Sequence, residues 1–283
     1  MSEVRDNNEV FTANQARAAG FQTKNVMQDD FGFEIPVEAV PLPSNGRLYP
    51  AESALSGQET LEIRAMTARE EDILTSRALI KKGTVITQLI KSCLVNKTID
   101  VDEMIVGDRN AIMTALRVTG YGSEYTAEVD CPNCTERSKQ DFKLTELGIN
   151  RLEIDPIAEG ANLFEFKLPV SKKTVHFRFL TGADETNLTI MMDRAKKQGG
   201  GGENLVTTRL QHQIVVIEGV KDRTKINMFI RNMPARDSLA LRKFADKYEP
   251  GLDMNTWMDC PHCMESSEVK LPMGASFFWP DAE

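Results

Sequence analysis

Apolar residues recur along this chain in two rhythms. The segments TLEIR (60–64) and TVHF (174–177) alternate apolar and polar side chains and carry β-branched or aromatic members, the pattern of half-buried strands. Each runs into a helical signal opened by a threonine with an acid three positions on. Thr67 with Glu70 and Thr181 with Asp184 have this spacing, which is that of a helix cap. The other rhythm is helical. In TVITQLIKSCLV, Val85, Ile86, Leu89, Ile90 and Cys93 share one face, so Cys93 is expected to be a small buried hydrophobe. DRNAIMTALR from Asp108 and DSLALRKFAD from Asp237 are expected as amphipathic helices, each led by an acidic cap. EYTAEVD and SKQDFKL flank Cys131 and Cys134; NTWMD and SSEVKLP flank Cys260 and Cys263. Both pairs predict a β-hairpin with CPxC at its tip.

These elements come in the same order twice. TLEIRAMTAREE (60–71) and TVHFRFLTGADE (174–185) match in alternation, in Arg64 and Arg178, and in Thr67 and Thr181, at an offset of 114 residues. Asp108 and Asp237 each precede the first cysteine of a CPxC by 23 residues, at an offset of 129. About fifteen extra residues in the second copy reconcile the two offsets, and KKQGGGGEN (196–204) is a natural place for some of them. The expected fold class is α+β, with two pseudo-symmetric repeats joined at a zinc-ribbon-like site. Each repeat is a strand, helices and a CPxC hairpin. The expected boundaries are an extended N-terminal arm at 1–56, a first repeat at 57–145, a connector at 146–172 and a second repeat at 173–283. The arm is polar, ends in VEAVPLPSNGRLYP, and carries Phe11, Phe21, Phe31 and Phe33, which are expected to anchor it to a neighbouring protein, with a disordered arm as the alternative. The cluster Phe277, Phe278 and Trp279 is a second candidate contact, with packing on its own domain as the alternative.

Composition narrows the function. With 283 residues and 41% hydrophobic content, the chain can bury a sizeable core. No apolar run reaches membrane-spanning length, and MSEVRDNNEV has neither the basic region nor the apolar stretch of an export signal, so cytosolic synthesis is expected. A net charge of -8 has the wrong sign for gripping a phosphate backbone, and no direct nucleic-acid binding is expected.

Five cysteines in such a chain favour metal binding or buried thiols over disulfides. A structural zinc ion takes four ligands, and one CxxC supplies two, so Cys131, Cys134, Cys260 and Cys263 are the expected set. Four thiolates leave no open coordination position, so the ion's expected role is to clamp the repeats together.

CPHC is also an oxidoreductase motif, but MESSEVKLP after it is strand-like and leaves no room for the helix that chemistry uses. A zinc deaminase needs H-x-E upstream and proline before the first cysteine, and neither is present. His262 is expected beside the metal at the tip, and His176 and His212 are expected to be structural. Gly199–Gly202 lacks the Lys-Ser/Thr that follows a phosphate-binding loop. No catalytic set emerges.

PLPSNGRLYP, RAMTAREEDIL, LIKKGTVITQLIKSCLV, VGDRNAIMTALRVTGYGSEY, CPNC and FFWPD together resemble the baseplate proteins of T4-type contractile-tailed bacteriophages, described as hub or hub-assembly proteins. The resemblance runs over roughly 37–283 and is firmest at 40–135. It implies a non-enzymatic late protein of the virion tail, made in the host cytoplasm, which binds other baseplate and tail proteins. It also implies a place in a symmetric, multi-copy assembly, with the tape-measure protein among the possible partners. The alternative from another class is a zinc-ribbon adaptor for nucleic acid or transcription machinery. That reading requires a basic face near the cysteines, whereas EVDCPNCTERSKQD and MDCPHCMESSEVK carry more acids than bases.

Overall fold

The computed structural model describes residues 35–197, 205–273 and 275–278. Phe11, Phe21, Phe31, Phe33, Trp279 and the glycine run lie outside them. The fold is mixed α/β with small sheets: four two-stranded sheets and one three-stranded sheet among the described residues.

The chain enters through β1 (Val37–Pro41), paired antiparallel with β2 (Thr60–Arg64), so that Val37 lies opposite Arg64. Three helices follow: α1 (Ala68–Thr75), α2 (Arg77–Lys82) and α3 (Val85–Cys93). Leu94 then bridges back to Ile63. The long α4 (Val106–Tyr121) leads to the hairpin β3 (Glu124–Asp130) and β4 (Arg137–Lys143). Tyr125, Ala127 and Val129 point inward from β3 in strict alternation.

A second course begins at β6 (Phe164–Lys167), after the short β5 (Ile149–Asn150). β6 pairs with β7 (Thr174–Phe177), and β7 pairs in turn with β8 (Ile214–Ile217). Between β7 and β8 lie α5 (Gly182–Lys197) and α6 (Leu205–Gln213). After them come α7 (Arg223–Arg231), α8 (Ala235–Tyr248) and the short β9 (Gly251–Leu252). The course closes with the hairpin β10 (Asn255–Asp259) and β11 (Ser266–Lys270).

Residues 37–56 do not form part of an extended arm. Leu42, Leu48, Tyr49 and Leu55 are buried in the main core. Asn45 and Gly46, both at positive φ, turn the chain back toward β2. A proline-rich stretch of this kind carries no regular periodicity, which is why the sequence suggests an arm. Ser44 and Tyr49 hold it down by hydrogen bonds to Asp108.

The capping expectation is met at both corners. Glu70 accepts from the Thr67 backbone N–H at 3.0 Å and from Arg64 at 2.6 Å. Asp184 accepts from the Thr181 N–H at 2.9 Å and from Arg178 at 2.7 Å. Asp108 and Asp237, expected to cap their own helices, do otherwise. Each is the third residue of its helix, and its carboxylate reaches across to a loop that follows a Leu-Pro pair. Asp108 accepts from Ser44 N (2.9 Å), Ser44 Oγ (2.5 Å) and Tyr49 OH (2.7 Å). Asp237 accepts from Val170 N (2.6 Å) and Ser171 N (2.9 Å). A side chain at this position points out of the first turn and is free to tether a neighbouring segment.

One core runs through both courses. They interlock at the start of α4 and of α5: Val106 N–H donates to the Leu180 carbonyl (2.9 Å), Gly182 N–H to Met104 (2.9 Å) and Ala183 N–H to Asp102 (3.0 Å). β5 pairs with β9. Gly107 lies directly on the Pro250 carbonyl, so close that any Cβ would overlap it.

Candidate metal centre

Each CPxC motif sits where a hairpin reverses, and the two reversals share one geometry. In the first, Cys131 N–H donates to the Glu136 carbonyl at 3.0 Å, and Thr135 N–H returns to the Cys131 carbonyl at 2.9 Å. In the second, Cys260 N–H donates to Glu265 at 3.1 Å, and Met264 N–H returns to Cys260 at 2.9 Å. The residue after the second cysteine is left-handed in both, with φ 64° at Thr135 and 59° at Met264. Cys131 and Cys260 are each 1% exposed, while Cys134 and Cys263 are half-buried at the rim. The fifth cysteine, Cys93, is elsewhere. It is fully buried on the apolar face of α3, where burial and then the nearby Glu70 carboxylate push its thiol up to about 12.

The tips bring four sulfurs together. Cys131 Sγ lies 3.8 Å from Cys263 Sγ, Cys134 Sγ lies 3.6 Å from Cys260 Sγ, and all four ligand atoms are within 4.8 Å of one another. A tetrahedron with metal–sulfur bonds of about 2.3 Å has sulfur–sulfur edges of about 3.8 Å. The two short edges therefore already match a bound ion, and the longest separation needs to close by no more than about 1 Å. None of the four is in a disulfide, and the short edges are well beyond the roughly 2.05 Å of a sulfur–sulfur bond. These residues can hold a metal ion.

Backbone dipoles prepare the site for thiolates. The N–H groups of Cys263 and His262 bring the Cys260 thiol down to about 6. Cys134 also receives the Glu136 N–H, but burial and the neighbouring sulfurs prevail and push it up to about 12. One sulfur thus ionises first and the next resists, as expected where negative charges gather with no cation between them. His262 contributes its backbone; its side chain is exposed at the tip.

Contacts outside the sulfurs help to align the hairpins. Asn133 Nδ2 donates to Ser267 Oγ at 3.0 Å, from the first tip to the second hairpin. Tyr125 OH donates to the Pro272 carbonyl at 2.7 Å. Arg117, 1% exposed, spends its guanidinium on three carbonyls: Phe277 (2.8 Å), Gly122 (2.7 Å) and Glu124 (2.9 Å). Phe277 and Phe278 are buried, at 0% and 2% exposed, with Phe277 edge-on to Tyr125 at 5.2 Å. Of the two readings open for this pair, the structure places them on their own domain. Sequence reasoning passed over Arg117, although an arginine on the apolar side of an amphipathic helix is the kind of signal that finds such a residue.

His176 and His212 make local contacts. His176 faces Glu165 across the β6–β7 pair at 3.6 Å, and His212 Nδ1 lies 3.2 Å from Asp184. Among the described residues, no helix is long and apolar enough to cross a membrane.

No curated protein and no solved structure gives a significant match to the chain. A family model does. Residues 43–160 match the family described as T4 bacteriophage base plate protein, a stretch that takes in the Leu-Pro loop, α1 to α4 and the first CPxC hairpin, and that ends before β6. Over this segment the chain is similar to T4-type phage baseplate proteins.

Proposed function

We propose that this chain is a non-enzymatic structural or assembly protein of the tail baseplate, at or near the hub. In this reading it binds other baseplate and tail proteins, the tape-measure protein among them, and is present in several copies. The match over residues 43–160 carries the reading. The acidic balance, with a net charge of -8, suits protein contacts better than a phosphate backbone.

The four-cysteine cluster is, in this proposal, a closed zinc site made of two knuckles. Zinc fits an all-thiolate tetrahedral set, and such a site has no position left for a substrate. The two courses are proposed as pseudo-symmetric copies of one unit. The matching reversals at the cysteines support this, as do the paired Arg–Thr–acid corners and the Asp108 and Asp237 tethers to loops after Leu-Pro. The metal then clamps copy to copy at the ends remote in sequence.

The test is quantitative mass spectrometry on purified virions and on tail intermediates from phage carrying a deletion of this gene, with and without complementation. Stoichiometric peptides in virions, and tails that fail without the gene, are expected for a resident component. Peptides confined to intermediates identify an assembly factor. Normal infectious tails from the deletion overturn the proposal.

A further inference from the structure

The two CPxC hairpins differ sharply on their outer faces. On β3–β4 the exposed residues neutralise one another across the strands: Glu124 opposes Lys143, Glu128 opposes Lys139, and Asp130 opposes Arg137. Arg137 grips Asp130 with two nitrogens, at 2.7 and 3.2 Å, and Thr126 Oγ1 donates to Asp141 at 2.6 Å. That face answers its own charges.

On β10–β11, Ser266 and Glu268 stand where Arg137 and Lys139 stand on the first hairpin, and the face's one cation, Lys270, lies opposite Asn255 rather than an acid. Asp259 opposes Ser266, and Trp257 opposes Glu268. Asp259 stands next to its knuckle as Asp130 does, but a serine hydroxyl occupies the place of the arginine and donates to it. Trp257 is 63% exposed, and Met264 at the tip is 85% exposed. A single exposed apolar side chain needs no explanation. An indole plate flanked by two carboxylates that have no guanidinium opposite them is a different matter, because it has the composition of half an interface.

We infer that the outer face of β10–β11 is a docking surface for an arginine-bearing segment of another protein, with the guanidinium stacked on Trp257 between Glu268 and Asp259. Trp is the strongest aromatic acceptor for a cation, and a guanidinium combines stacking on a ring with forked hydrogen bonds to a carboxylate. Met264 offers an adaptable apolar contact beside it. Nucleic acid is excluded by the acidic flanks. The inference deepens the baseplate reading by naming a face and the chemistry of its partner, and its test does not depend on finding the chain in virions.

Trp257 and Trp279 are the chain's two tryptophans, so full-length Trp279→Phe protein makes Trp257 the sole indole reporter. Titration with hexa-arginine peptide should change its emission saturably, whereas hexaglutamate should leave it unchanged. The double variant Asp259→Asn/Glu268→Gln should bind hexa-arginine about tenfold more weakly. The charge-matched control Glu128→Gln/Asp141→Asn, on the other hairpin, should bind as the parent does. Calorimetric titration of Trp257→Ala should show the same loss. Equal weakening by both double variants would mean a general attraction to an acidic protein and overturn the inference. So would an emission unaffected by hexa-arginine. Circular dichroism of each variant separates loss of the face from loss of the fold.

Discussion

Asp108 and Asp237 stand at the same place in comparable helices and tether comparable loops, yet their carboxyl groups are driven in opposite directions. Asp108 is fully buried, and burial pushes it up although Ser44 and Tyr49 donate to it. Asp237 feels burial too, but the backbone N–H groups of Val170 and Ser171 outweigh it and hold the acid below its usual range. The difference lies in the balance: at Asp108 burial prevails over two hydroxyls and the Ser44 N–H, and at Asp237 the donors prevail over burial. Hydroxyl groups can turn to serve a neutral acid as readily as a charged one, whereas two fixed N–H dipoles favour the anion alone. One tether is thus a buried polar knot that favours the neutral acid, and the other is an anion held by peptide groups.

The largest expected effect tests the likeness of the two courses at the cysteines. Cys134→Ser and Cys263→Ser occupy matching rim positions, so each should release the metal and lower the melting midpoint by about 10 °C or more, to a similar extent. Elemental analysis of the same samples should give one zinc per wild-type chain. A midpoint that moves for one variant only, or metal retained by either, breaks the likeness. Next comes Arg117→Met, in the first course alone, which strands three carbonyls and should cost about 3 kcal/mol in urea unfolding.

The tethers give a smaller effect with a crossed pH dependence. Asp237 has a depressed pKa in the fold, so its stabilisation is present above the unfolded value of about 3.9 and fades as pH falls. Asp237→Asn should cost about 1 kcal/mol at pH 7 and less at pH 3. Asp108 is raised, so the fold favours its protonated form, an advantage fully present below the unfolded value and lost as pH rises. The penalty of Asp108→Asn should therefore shrink from pH 4 to pH 7. Parallel pH profiles for the two variants would refute the distinction. Least of all, Arg137→Ala should move the midpoint by less than about 1 °C, because exposed ion pairs contribute little.

What could be seen in the sequence follows from the range of the interaction. The strands at 60–64 and 174–177, the helix corners at Thr67 and Thr181, and both hairpins announce themselves within a few residues, through alternation and cap spacing. The four thiols were legible too, because two identical tips imply a common ligand. Residues 37–56 were not, since their structure is decided by Asp108, which lies 64 positions from Ser44. The same holds for Arg117, whose partner Phe277 is 160 positions away. No local rhythm encodes a carbonyl supplied from so far along the chain.

That last contact bears on how the protein is made. Tyr125 and Arg117 leave the ribosome roughly 150 residues before Pro272 and Phe277, a delay of about 10–30 s at bacterial rates of synthesis. During that time the first hairpin has neither its aromatic neighbour nor its second pair of thiols. The nascent chain therefore presents an incomplete core for a fixed interval, and a ribosome stalled short of residue 272 would hold a fragment that cannot close.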